Sequence, residues 1–534
     1  MAAALARAVA LVSAPGRVSG YVPALERPGE NQDNGPIASR GKLPMKKEYK
    51  PVHGMWTSRW VFILAATGSA VGLGNIWRFP YITGEYGGGA FVVLYLLCIA
   101  LMGIPIMVAE VMLGRRGGLS PIHTMSKLAE QSKVTRRWAG IGYLGALSGF
   151  LILSFYSAVA SWALIYVWEA AQGVFQGITA VQSKAHYEDM LANPWLLLGS
   201  HTLFMVITMG VVALGVKQGL ERAVRVLMPV LFALLVVLIG YASTTPGFAE
   251  GVGFLFAFDF SKLSGEAVIV ALGQAFFTLS LGMGAIMAYG AYMPREIKDK
   301  SGRSRPVSIV SSVVTIAVLD TLVALGAGLA MFPLLFTGGL EVGQGPGMMF
   351  VTLPLAFGQM PGGLLFGTLF FVLVVCAAWS SSISLGEPMA AWLVERGMGR
   401  GTAALAVGLA AWLLGVGSVL SFNVWKEHEF LVGTFFDNIE FLSTSVMLPL
   451  GGLLIAIFAG WVMKETHARK ELAMKSFPLY LIWRALVRVV SPTAVIALFI
   501  YSLWSVLAAD DGSAEAGADG EPVEQTAPAD QETR

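Results

Sequence analysis

The residues best suited to chemistry lie in the stretch Gly68-Ser69-Ala70-Val71-Gly72-Leu73-Gly74-Asn75-Ile76-Trp77-Arg78-Phe79-Pro80. They interrupt an apolar run that begins near Trp60, and they place Gly72 and Gly74 at what should be mid-bilayer depth. An interior Gly costs a helix roughly 1 kcal/mol against Ala, and a broken helix in hydrocarbon leaves peptide groups unpaired at several kcal/mol each. Such a break persists where the freed groups bind something. A half-helix ending near Ala70 would offer carbonyls to a cation, and one beginning near Asn75 would offer N–H groups to a carboxylate. Taken alone, the glycine pair fits a close helix-packing patch equally well. A dinucleotide-binding loop is excluded, because no strand precedes it.

A second interruption, Phe277-Thr278-Leu279-Ser280-Leu281-Gly282-Met283-Gly284, repeats the pattern five spans later. Two broken helices at that interval are the mark of a five-plus-five inverted repeat with a site between its halves. Asp320 sits within the apolar run Val313 to Leu325. A carboxylate at that depth costs about 2.5–3.5 kcal/mol on insertion scales, so it needs a cationic partner. The six histidines are scattered without zinc-type spacing, and Cys98 and Cys376 lie in apolar runs with no disulfide framework. No nucleophile–base pair is visible in the apolar segments, so an enzyme is not expected, nor is a nucleic-acid partner.

These residues must be positioned by membrane helices. Of the 534 residues 55% are hydrophobic and 13% charged, and the mean hydropathy is +0.67, which predicts an all-α polytopic membrane protein. The net charge of +2 says little, since the sign of each loop matters more. Eleven spans are expected, at 59–82, 89–114, 138–172, 197–215, 220–243, 267–293, 307–335, 363–395, 403–421, 440–463 and 490–508. Alternate loops carry the Lys and Arg, among them Arg115, Arg116, Arg295, Arg396, Arg469, Arg484 and Arg488. The positive-inside rule makes that side cytoplasmic and puts the N-terminus there and the C-terminus outside; the plasma membrane, the inner membrane if the source is bacterial, is the expected location. Residues 1–44 read as a disordered extension, a weak signal segment or sequence upstream of a true start at Met45. The transporter domain is expected over 45–508, with repeats 59–243 and 267–463, and the acidic tail 509–534 as disordered.

Gly68–Pro80, Glu85-Tyr86-Gly87-Gly88-Gly89-Ala90-Phe91, Gly103-Ile104-Pro105 with Glu110, and Phe276–Gly282 closely resemble the neurotransmitter:sodium symporter family, over about residues 55 to 505. The likeness is strongest to bacterial multihydrophobic amino-acid and leucine transporters. It implies helices 1 and 6 unwound at mid-membrane, two co-transported Na⁺ and an amino-acid substrate. The first Na⁺ would meet Ala70, Asn75, Thr278 and Asp320, and the second Gly68, Val71, Ala377, Ser380 and Ser381. Asp320 with Ala324 stands where chloride-dependent relatives have Asn and Ser, which implies independence of chloride. Gly72, where monoamine carriers have Asp, implies that the substrate brings its own carboxylate.

The same resemblance implies a substrate site of Ser69, Ala70, Leu73, Gly74, Ile152, Tyr156, Phe277, Thr278, Ser280, Met283, Ser381 and Leu385. Met283, a flexible thioether in place of Phe, points to large aliphatic or aromatic side chains. Arg78 and Glu440 would form an outer gate, with Asp437 as rival acid. Glu395 with Trp56 and Tyr292 would form an inner one, its base being His53, Lys50 or Arg59. Gly219 and Pro229 match a motif at the start of helix 5 associated with a water path to the second Na⁺. The function implied is sodium-coupled symport of hydrophobic amino acids by alternating access. Transport of other neutral amino acids, or an amino-acid sensor on the same scaffold, remain alternatives, as does oligomeric state.

Overall fold

Long apolar runs become helices in hydrocarbon because each residue then satisfies its own backbone donor and acceptor. The computed structural model describes residues 53–298, 303–340, 346–474 and 476–516. The expected extension 1–44, Lys50 and the tail from 517 lie outside the described residues.

The first span starts at Ser58, whose side chain accepts from the Val61 N–H, and runs as α1, Arg59–Ala70. At Val71 the backbone turns extended (φ −70°, ψ 114°). The chain resumes as α2, Gly74–Glu85, bent 61° from α1. There follow α3 Gly89–Gly117, α4 Pro121–Gln131, α5 Arg136–Ala171, α6 Ala180–Ala192, α7 Pro194–Ala213 and α8 Val216–Ala242, then the short α9, Phe248–Phe256.

The second break separates α10, Gly265–Thr278, from α11, Ala285–Ala291. Between them Ser280, Gly282 and Gly284 all have positive φ. A Cβ on Gly282 would lie 2.4 Å from the Leu448 carbonyl oxygen, so only glycine allows this approach. After the hairpin of β1 (Glu296–Lys298) and β2 (Ser304–Pro306) come α12 Ile309–Thr337, α13 Met348–Gln359, α14 Gly363–Glu395, α15 Arg400–Ser421 and α16 Phe435–Val462. The chain ends with α17, Glu465–Leu472, and α18, Phe477–Trp504, whose helix continues to Ala516.

Among the described residues nine helices are long and apolar enough to span a bilayer, ten with the bent α1–α2 pair counted as one. α1 packs against α8, α12 and α14, α11 packs against α1 and α14, and α5 lies along α14, so both breaks face the middle of the bundle.

Two expectations are corrected. The helix expected over 490–508 begins at Phe477, and Arg484 and Arg488 belong to it rather than to a loop. Arg488 donates to the Gly460 carbonyl at 2.6 Å and lies over Trp461. Arg484 pairs with Glu465 and lies over Tyr480. Long stems cover apolar surface while the charged heads reach partners, so the apolar run continues through them. The helix also extends past 508 to Ala516, into residues expected as disordered tail.

The basic side is clamped by Arg115. It donates to Glu471 Oε1 at 2.8 Å and to the Val307 carbonyl at 2.7 Å, while Arg295 reaches Glu471 Oε2 at 3.2 Å. Both Arg115 and Glu471 are buried. Glu471→Ala strands the guanidinium and is expected to cost about 3–5 kcal/mol, read as a lower melting temperature of the purified protein. An unchanged melting curve would show the pair to be dispensable.

Candidate functional site

The two breaks face each other across one small cavity. Every residue expected at the substrate site lines it, together with Gly72 and Asn75. The Leu73 N–H donates to the Tyr156 hydroxyl at 3.2 Å, and the Ser280 hydroxyl to the Ser69 carbonyl at 2.8 Å, which ties α5 and the α10–α11 break to the first break. Met283, Ile152 and Leu385 supply the apolar wall. The free space is about 30 Å³, enough for water but not for a large side chain.

On one side of the cavity Asp320, with no exposed surface, accepts from the Asn75 amide at 2.8 Å and the Thr278 hydroxyl at 2.9 Å. Both donors are neutral, so the carboxylate's charge is uncompensated by any neighbour that these bonds provide. The Asn75 NH₂ also reaches Thr278 Oγ1 at 2.9 Å, while its oxygen accepts from the Gly72 N–H at 3.1 Å. Asp320 is an acceptor, so it draws the amide's nitrogen and leaves the oxygen to the Gly72 N–H.

On the other side, Ser381 of α14 brings its hydroxyl to 3.4, 3.1 and 3.0 Å from the carbonyls of Gly68, Ser69 and Val71. One hydroxyl proton cannot satisfy three carbonyls, and the surplus of converging oxygens suits a small hard cation. Ser380 Oγ lies beside them and bonds back to the Ala377 carbonyl at 3.0 Å.

Toward the face opposite the basic one, Arg78 lies 5.3 Å over the Phe277 ring. Beyond it opens a cavity of about 450 Å³ lined by Arg78 and Glu440. Asp437 lines it too, but its carboxylate caps α16 by accepting the Thr434 N–H at 2.8 Å, which leaves Glu440 as the acid free to face Arg78.

Toward the basic face, the Trp56 N–H groups are held by the carbonyls of Tyr289 and Tyr292, each at 3.0 Å. Glu395 meets His53 at 3.0 Å. Arg59 does not approach it and instead donates to Ser311 and Ser312, because α1 turns it toward α12. Gly219 and Pro229 fall at the start and in the interior of α8.

Several contacts escaped the sequence reading. Ser120 and His123 also hold Glu395. Tyr292 and Arg400 close on the buried Glu387. Ser384 accepts from Ser69 at 2.8 Å. Glu110 accepts the Gly282 N–H at 2.6 Å and so holds the second break open. The signal for Glu110 and Glu387 was the one that marked Asp320, an acid in an apolar span. For Ser120 and His123 no local signal existed.

Residues 53–183 and 185–511 match the model of the Sodium:neurotransmitter symporter family. The uncharacterized sodium-dependent transporter YhdH of Bacillus subtilis is 36% identical over 462 residues, 85% of this chain and 98% of that protein. The human sodium- and chloride-dependent neutral and basic amino acid transporter B(0+) is 22% identical, over 84% of this chain and 79% of that one. Among solved structures, MhsT in complex with L-phenylalanine is similar with a TM-score of 0.76 and 41% identity, covering 84% of this chain and 100% of that one.

Proposed function

The chain belongs to the sodium:neurotransmitter symporter family, and from that premise we propose that it carries large hydrophobic or aromatic amino acids inward with two Na⁺, by alternating access and without chloride. It is a membrane-embedded, sodium-dependent transporter and not an enzyme. In the proposed arrangement eleven spans form repeats 59–243 and 267–463, with the basic face and N-terminus in the cytoplasm and the C-terminus outside. The first Na⁺ takes Ala70, Asn75, Thr278 and Asp320, and the second Gly68, Val71, Ala377, Ser380 and Ser381.

The observation that carries this reading is the glycine at 72. No side-chain acid lines the cavity at the first break, so the carboxylate must come with the substrate. The walls of Ile152, Phe277, Met283 and Leu385 favour an apolar side chain, and the relative MhsT was solved with L-phenylalanine. Arg78 with Glu440, and Trp56 with Glu395, serve as outer and inner gates.

Two Na⁺ with a zwitterion moving through about 100 mV release roughly 4.6 kcal/mol, worth about three decades of accumulation. Uptake of radiolabelled tryptophan, phenylalanine and leucine into proteoliposomes is expected in Na⁺ and lost when K⁺ replaces it. Equal uptake in both salts would overturn the coupling. Strong competition by small polar amino acids, and none by aromatic ones, would overturn the substrate class.

A further inference from the structure

Two histidines far apart in sequence meet on one carboxylate. Glu395 ends α14 with its side chain 4% exposed. His53, ahead of α1, brings Nε2 to 3.0 Å from Oε1, and His123, in α4, brings Nδ1 to 2.5 Å from Oε2. The Ser120 N–H donates to Oε1 at 2.6 Å, and the Ser120 hydroxyl donates to Oε2. An ionised carboxylate only accepts, so both facing ring nitrogens carry hydrogen, whether each ring is neutral or cationic. The cationic form makes a bond roughly twice as strong as the neutral one. It also cancels the carboxylate's charge in a site shielded from water.

Among the described residues, the surrounding groups do not supply that charge. Tyr292, its ring 5.6 Å from His53, gives its hydroxyl to Glu387 at 2.7 Å, and Arg400 is engaged with the same Glu387. Arg396 lies over Trp392 at 4.1 Å, and Lys127 donates to the Gly117 carbonyl at 2.7 Å. Lys217 lies beside Gly54. Ammonium and guanidinium groups keep their charge across the neutral range, whereas imidazoles change theirs between about pH 5 and 8.

We infer that His53 and His123 are positioning residues of the inner gate, which jointly hold Glu395 while it is shut, and that shutting takes up a proton. The inference rests on the reading of Glu395 and Trp56 as the cytoplasmic gate. The open form lacks the carboxylate with which a charged His53 pairs, so protons favour the shut form. By linkage, acid shuts the gate and alkali frees it. An arginine at 53 would make the same bond at every pH.

The test is a distance measured by pulsed EPR between spin labels on Met55→Cys and Met398→Cys, both exposed, in liposomes with one buffer inside and out. Cys98 and Cys376 are buried and stay unlabelled. No substrate is needed, so the result is separable from the transport reading, which Na⁺-driven uptake tests by itself. Between about pH 5.5 and about pH 8 the open-to-shut ratio is expected to rise about tenfold. His53→Arg with His123→Gln, which keeps a cation on Glu395, is expected to stay shut at both pH values. Glu395→Gln is expected to lose the pH response and populate the open form at both. Distances in the parent that ignore pH, or a response that persists in the double variant, would overturn the proposal.

Discussion

Gly72→Asp is expected to abolish amino-acid binding. A Cβ at position 72 would lie 2.8 Å from Ser381 Oγ and 3.0 Å from the Tyr156 hydroxyl, so even alanine presses on both walls of the cavity. Overpacking of that kind costs about 1–3 kcal/mol. The added carboxylate then competes with the substrate's own. At about 4 Å two like charges repel by about 4 kcal/mol at an effective dielectric constant near 20. Together the terms exceed a thousandfold loss of affinity, at about 1.4 kcal/mol per decade. Scintillation-proximity binding of phenylalanine should fall to background in Gly72→Asp and drop by the steric share alone in Gly72→Ala. A Gly72→Asp binding curve equal to the parent's would contradict the proposed carboxylate pose.

Asp320→Asn should be the second large effect. It keeps the shape but removes the one acid beside Asn75 and Thr278, both of which now donate to it. Hydrogen bonds to charged groups are worth about 1.5–3 kcal/mol each, and a cation in the proposed first site would lose its charged ligand as well. The Na⁺ concentration for half-maximal uptake should rise about a hundredfold, and chloride should restore part of the loss by supplying the missing negative charge. Full uptake by the variant in chloride-free buffer would remove Asp320 from the proposed charge-replacement role.

Both variants sit where sequence and structure agree most closely, and the reason is local. Gly72 and Gly74 weaken α1 at the residues where it ends, Ala70 and Val71, and Ser280, Gly282 and Gly284 adopt the positive φ that ends α10. A helix break is decided by the residues within it, so it can be read along the chain. The membrane spans are legible for the same reason, except where arginines interrupt the apolar count. Arg484 and Arg488 read as loop residues, yet they lie within α18 because their partners, Glu465 and the Gly460 carbonyl, come from the preceding segment.

Partner choice is another matter. That Asp437 caps its own helix, that Arg59 turns to Ser311 and Ser312, and that His123 and Ser120 join His53 on Glu395 were settled only by packing. The sequence alone determined a bundle of membrane helices broken at two places, with an acid buried near the breaks. The tertiary structure decided which charged and polar side chains share each buried carboxylate. A break needs only its own residues, whereas an ion pair needs two side chains brought together across the fold, and no local pattern records that meeting.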